Sequence, residues 1–547
     1  MPIGRVRIDS MKPNRRQLLI GSTAGAMLPI AALAQTSSAA KRMKPFPLEE
    51  RSLADLQVDL ANGRIGSQRL VSDYIARIQR IDRSGPRLAS VIELNPDALA
   101  IAQALDAEFK ASGPRGPLHG LPILIKDNIG TRDRMQTTAG SRALEGSQPK
   151  ADAFVVQRLR AAGAVILGKT NLSEWANIRS SQGSSGWSAR GGLTRNPYAL
   201  DRSTSGSSSG SGAAVAASLC AAAVGTETDG SILSPASVCG IVGLKPTIGL
   251  ISRSGIVPIA HSQDTAGPMA RSVRDCALLL GGMVGADAAD ASMRGAESRR
   301  TVDYLDRLDA DALKGARLGV ARQFFGFHEP TDRVFAGVLT ALEAAGAVLV
   351  DPVTLPAIES IGDAELTVLL YELKADLDTY LAALGPNAPV KALAEVIAFN
   401  QRNAATELKW FGQDLFIKAQ AMGPLTDDAY LKARALCLKV ARDDGIDAVM
   451  KQHRLDALIA PTGGPAWRSD LVLGDHFVGG GSTMPPAVAG TPSITVPAGF
   501  VHGLPVGMSF FAGAWSEARL LTLAYAFEQT MKARRPPRYL ATIDTRA

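Results

Sequence analysis

Histidine and cysteine are scarce in this chain: its 547 residues hold six of the first and four of the second. No two cysteines stand at C-x-x-C spacing and no histidine pair has zinc-motif spacing, which excludes the familiar short metal motifs. Cys220, Cys239 and Cys276 sit among apolar neighbours. They and Cys437 are expected to be free thiols, and neither metal nor cofactor is expected. Aromatic residues make up only 5%, and no basic stripe interleaved with aromatics occurs, which argues against a nucleic-acid partner. Long apolar runs are missing too. Beyond residue 34 nothing is apolar and long enough to cross a bilayer, so no membrane association is expected once the N-terminus is removed.

What is present is ordinary globular composition, 46% hydrophobic and 20% charged, on a chain long enough to bury a large core. The formal charge is +7, and residues 1–34 hold much of it in Arg5, Arg7, Lys12, Arg15 and Arg16 against Asp9. Arg15–Arg16 precede a weakly apolar run through Ile30, and Ala32-Leu33-Ala34 is a small-x-small cleavage site. This is the pattern of a Tat-type export signal, and it predicts a periplasmic or secreted protein. Met11 is an alternative start, since the signal is complete from there.

From about residue 45 to 540 helical and strand-like stretches alternate, which predicts one α/β domain with a central sheet. Leu53–Ile81 reads as two helices broken near Gly63–Gly66, Leu121–Ile125 as a strand ending at Lys126, and Ala164–Leu167 as a second strand. Ala213–Val224 is rich in alanine and lacks internal glycine and proline, which predicts a helix. Further strands are expected at Arg317–Ala321, Ala347–Val350, Leu455–Ala460, Ser493–Val496 and Gly507–Phe511. Long helices are expected at Leu366–Leu384, Leu393–Phe411 and Leu520–Thr530.

Two familiar motifs fit on paper and fail physically. Gly163–Thr170 matches G-x-x-x-x-G-K-[ST], yet its four middle residues are Ala-Val-Ile-Leu, a strand in place of a phosphate-wrapping turn. Gly206–Gly210 matches G-x-S-x-G, yet Asp201–Ser205 before it is polar where that elbow needs an apolar strand. None of His119, His261, His328, His453, His476 and His502 has the context of a triad member.

What remains is a serine- and glycine-rich loop, Ser203–Gly212, and a second loop, Gly225-Thr-Glu-Thr-Asp-Gly-Ser231. Successive N–H groups in such a loop can cradle an anion. Composition alone is also met by two polar surface loops, and Lys126 alone by an exposed lysine paired with Asp127.

Longer stretches decide between these readings. Ser205–Gly212, Gly225–Pro235 and Ile241–Thr247 together resemble the amidase signature. So do Gly120–Ile129, Gly168–Asn177 and Ser262–Met269. The resemblance spans roughly residues 45–538. It implies a single amidase-signature domain, a central mixed β-sheet covered by helices on both faces. It also implies hydrolysis of a carboxamide, with the closest resemblance to enzymes that remove the C-terminal amide of peptides. Alternatives within the family are a broad aliphatic or aryl amidase and the glutaminase subunit of a tRNA amidotransferase. The expected partner is a small-molecule or peptide amide, and the expected state a monomer or homodimer. By motif the nucleophile falls on Ser231, the bridging serine on Ser207, after a cis Gly206–Ser207 bond, and the base on Lys126. The N–H groups of Thr228, Asp229, Gly230 and Ser231 fall at the oxyanion site, and the Ser208 and Thr228 hydroxyls near the relay. Many relatives have Gly-Gly-Ser-Ile-Arg at the nucleophile, whereas this chain has Asp229-Gly-Ser-Ile-Leu233, a departure shared with the peptide-amide subgroup. Residues 177–205, 360–420 and 460–485 are the expected pocket walls.

Overall fold

The computed structural model describes residues 46–295 and 303–543. The expected signal at residues 1–34 lies outside them. Among the described residues no helix is long and apolar enough to cross a membrane.

Eleven strands form one mixed sheet. In chain order the strands are β1 (Val91–Leu94), β2 (Pro122–Lys126), β3 (Val165–Thr170), β4 (Trp187–Ser188), β5 (Gly192–Leu193), β6 (Ala222–Glu227), β7 (Val242–Lys245), β8 (Thr265–Ala270), β9 (Arg317–Ala321), β10 (Val348–Val353), β11 (Ala457–Pro461), β12 (Ser493–Val501) and β13 (Leu504–Phe511). The order across the sheet is β1-β3-β2-β6-β8-β7-β12-β13-β11-β9-β10, with β4 and β5 pairing separately. Strands β3, β2 and β6 run parallel, the middle from β6 to β11 is antiparallel, and β11, β9 and β10 are parallel again.

Every residue of β2, β3, β6, β7, β8, β11 and β13 is buried. Burial on both faces explains why Leu121–Ile125 and Ala164–Leu167 read as continuous apolar runs without alternation. Gly163–Thr170 is indeed the approach to a strand: Lys169 is fully buried and its Nζ donates to the Ile129 carbonyl at 2.6 Å and the Thr137 hydroxyl at 2.9 Å. That lysine is spent inside the protein and faces no phosphate.

The expected helix at Ala213–Val224 is wrong. The helix spans Ser209–Ala216, the chain turns through Ser218 at φ +53°, and Ala222–Glu227 is strand β6. Alanine propensity loses because this stretch is wholly buried and its backbone pairs with β2 on one side and β8 on the other. The long helix expected at Leu393–Phe411 stops at Arg402 and is succeeded by one short turn, Ala404–Glu407. The helices Leu53–Ala61, Ser67–Arg77, Gly362–Ala383 and Glu517–Met531 stand where the periodicity puts them. All four cysteines are buried and free.

Candidate active site

Lys126 closes β2, and strand geometry decides where it points. Successive side chains leave opposite faces of a strand. Asp127 therefore turns away from its neighbour, accepting hydrogen bonds from the Thr138 hydroxyl (2.5 Å) and Gly140 N–H (3.2 Å). The exposed Lys126–Asp127 pair that the sequence also allowed does not form. Lys126 has no exposed surface. Its Nζ lies 2.8 Å from Ser207 Oγ, 2.8 Å from Thr226 Oγ1 and 3.2 Å from the Thr226 carbonyl. Burial pulls its pKa from an ordinary 10.5 down to about 7, with Asp264 and then Glu227 opposing the drop. An amine in this state is neutral for much of its time near neutral pH and can accept a proton.

Thr226 holds the amine because β2 and β6 are parallel neighbours, with Ile125 opposite Val224. The Asn128 side chain donates to the same threonine hydroxyl at 2.9 Å. Neither Thr226 nor Asn128 was singled out from the sequence, although Thr226 lies inside the signature stretch.

The bridging-serine loop is fixed by backbone. Gly206–Ser207 is a cis peptide bond. The Ser207 carbonyl accepts from Ser173 N–H at 3.1 Å, and Gly210 N–H donates to the Asn171 carbonyl at 2.9 Å. Ser208 then clips this loop to the other: its N–H donates to the Ser231 carbonyl at 3.1 Å, and its Oγ donates to the Thr226 carbonyl at 3.0 Å. The structure thus puts Lys126 and Ser207 in direct contact and holds Ser231 beside them through the backbone. The Ser208 hydroxyl supports the strand that grips the lysine. The Thr228 hydroxyl turns the other way and donates to Asp264 at 2.6 Å.

Around Ser231 the chain turns tightly, with Gly230 at φ +71°, a region that side chains rarely occupy. Any Cβ there would press on Thr483 Oγ1 at 2.9 Å. Glu227 orients the residues just past the turn: one carboxylate oxygen accepts the N–H groups of Ile232 (2.6 Å) and Leu233 (2.9 Å). Burial pushes Glu227 up to about 7, and the buried Lys245 opposes that rise. Asp264, pushed up to about 6 by burial, also accepts the N–H groups of Ile259 and Ala260. Gln263 joins the Thr228 carbonyl (3.3 Å) to Glu365 (2.9 Å), whose carboxyl burial raises to about 8. A cavity of about 300 Å³ reaches this side of the site, its wall including Asn128, Thr226, Thr228, Asp264 and Tyr380.

Among the described residues one group, His261, Glu372 and Asp376, has ligand atoms close enough to share a metal ion. Each ring nitrogen of His261 already faces a carboxylate, Nδ1 at 2.9 Å from Asp376 and Nε2 at 3.4 Å from Glu372. That suits an imidazolium, and the carboxylates raise the His261 pKa, Asp376 through its hydrogen bond foremost.

A buried lysine whose pKa falls to about 7 thus contacts a serine hydroxyl beside a Gly-Ser turn, and kinship says what such a chain is similar to. The family profile for amidases matches residues 69–521. The chain belongs to the amidase family. This amidase is 40% identical to an Arabidopsis thaliana protein described as a probable amidase, over 91% of this chain and 93% of the relative. Its fold matches that of the peptide amidase from Stenotrophomonas maltophilia at 50% identity and a TM-score of 0.86, covering 90% of this chain and all of that one. It is also 36% identical to the A component of the glutamyl-tRNA(Gln) amidotransferase of Halorhodospira halophila, over 88% of this chain and 97% of the relative. The amidase is therefore a hydrolase built on a single amidase-signature α/β domain, its mixed sheet flanked by helices.

Proposed function

We propose that the enzyme hydrolyses the C-terminal carboxamide of peptides to a carboxylate and ammonia. Ser231 attacks the amide carbon. Its proton passes to Ser207 Oγ as Ser207 gives its own proton to the Lys126 amine. The carbonyl oxygen, now an anion, receives hydrogen bonds from N–H groups of the Thr228–Ser231 turn. Comparable donors are worth about 3 kcal/mol each in the transition state. The C–N bond breaks as the proton returns through Ser207 to the leaving nitrogen, which departs as ammonia. A serine ester remains. Water attacks it by the same relay, and the carboxylate leaves. The observation that carries this reading is the 2.8 Å contact between Ser207 and a fully buried lysine whose pKa is brought down to about 7.

The peptide preference is supported by the 50% identity to a peptide amidase. The 36% identity to an amidotransferase component favours a second reading, in which ammonia is passed to another polypeptide. Ammonia release from a panel of peptide amides, free amides and anilides separates them. Turnover of peptide amides by the chain alone is the expected outcome. Turnover of glutamine alone, dependent on a co-purifying polypeptide, would overturn it. Export is part of the same proposal: residues 1–34, with Arg15–Arg16, carry the enzyme out of the cytoplasm. A reporter fused after residue 34 should be exported, and replacing both arginines by lysine should retain it inside.

A further inference from the structure

We propose that residues 471–478 form an apolar rim that receives hydrophobic side chains of the peptide upstream of the scissile amide, and so set which peptide amides are preferred. The inference rests on the peptide-amide reading and names its substrate class more narrowly.

Among the described residues eleven large apolar side chains are exposed, and four of them crowd into seven positions: Val472 at 77%, Leu473 at 70%, Phe477 at 53% and Val478 at 59%. Apolar surface concentrated in this way marks a binding surface more often than chance. The segment is not a loose loop. The Asp470 side chain accepts the N–H groups of Val472 and Leu473, both at 2.9 Å, which turns their side chains outward together. Asp475 accepts from Ser185 N–H at 3.0 Å, Ser185 Oγ at 2.5 Å and Trp467 Nε1 at 3.0 Å. Phe477 stands edge-on to Trp467 at 5.8 Å.

These anchors lead to both serine loops. Ser185 Oγ lies 3.1 Å from where a Cβ on Gly206 would be, one residue before Ser207, and Ser203 N–H donates to the Trp467 carbonyl at 2.8 Å. At its other end the segment runs into Thr483, which packs against Gly230, one residue before Ser231. The apolar tip is thus tied to the loop that carries Ser207 on one side and to the turn that carries Ser231 on the other. On its outer side Leu473 and Val478 join Trp467, Val501 and Leu504 around a groove of about 760 Å³, room for more than one side chain. Only four residues separate Val478 from Thr483, so a short stretch of chain joins the rim to the residue packed against the nucleophile turn. A peptide whose terminal amide reaches Ser231 therefore lays its preceding residues over this rim.

The test compares ammonia release from acetylglycinamide with release from acetyl-X-glycinamide, X being Gly, Ser, Leu or Phe. It uses the full-length enzyme and the variants Val472→Ser/Leu473→Ser and Val478→Ser, whose changes are on the surface and should leave the melting temperature in place. The wild type should favour Leu and Phe over Ser by about tenfold in kcat/KM, mostly through KM, the usual scale for burying a few carbons in a pocket. The variants should lose most of that preference while hydrolysing acetylglycinamide at the wild-type rate. A preference that survives in both variants, or is absent from the wild type, overturns the rim and leaves the peptide-amide reading standing. Failure of the wild type to release ammonia from any peptide amide, with simple amides turned over, overturns both.

Discussion

Lys126 is the residue on which the proposed chemistry turns, and its state is pH-dependent in a definite direction. Its amine is protonated below about pH 7 and free above. The rate of the acylation step should therefore rise as pH climbs through 7 and level off above, measured as kcat/KM for ammonia release. The same shift bears on stability. A lysine whose folded pKa lies below its ordinary 10.5 destabilises the fold fully below about pH 7, and the penalty is relieved as pH rises toward 10.5. Lys126→Met should thus abolish activity and raise the melting temperature at pH 6, an advantage that shrinks as the pH approaches 10. Removing the proposed nucleophile is a sharper change. Ser231→Ala should cost about a thousandfold or more in kcat, read in the same ammonia assay, and unchanged turnover would remove Ser231 from the mechanism.

At the scale of elements, the site is a meeting of strand ends and turns, and the neighbours the sequence did not single out are the ones that hold it. Glu227 ends β6 and fixes the turn after Ser231 through two N–H groups. Glu227→Gln removes one of the three carboxylates, with Glu517 and Asp229, that act on the buried Lys245 and weakens the grip on the Ile232 and Leu233 N–H groups, and it should lower stability by roughly 1–3 kcal/mol. It should also reduce kcat more than KM, seen by thermal melting and steady-state kinetics. Gly225 shows how tightly β6 meets the serine loop: a Cβ there would stand 2.8 Å from both Ser208 Oγ and Met269 Sδ. Gly225→Ala should push Ser208 off the Thr226 carbonyl and lower kcat about tenfold. These contacts explain what could be read beforehand. Lys126, Ser207 and Ser231 sit in stretches specific enough to be placed by resemblance. Thr226, Asn128 and Asp264 act by reaching partners far along the chain, which nothing in their local spacing announces, whereas Glu227 serves the turn just after it. The Ala213–Val224 stretch fails for the same reason, since only the pairing of β6 with β2 and β8 makes a strand of an alanine-rich run.

For the whole molecule, the long elements were legible because burial writes itself into composition. Fully buried strands read as apolar runs, and Gly362–Ala383 follows its periodicity closely. The break after Arg402 did not, because the helix and the short turn after Asn403 are set by packing that periodicity does not encode. An enzyme beginning at residue 35 should keep the activity of the full-length chain to within about twofold once purified, because the site described draws only on residues beyond that point.

The parallel pairing of β2 with β6 has one more consequence. The proposed proton acceptor and the threonine that grips it ride on the pleat of the sheet, whereas the proposed rim at 471–478 belongs to the connection between β11 and β12. Inheritance can therefore rework what the enzyme recognises, by lengthening or recolouring that connection, without retuning the chemistry on the sheet.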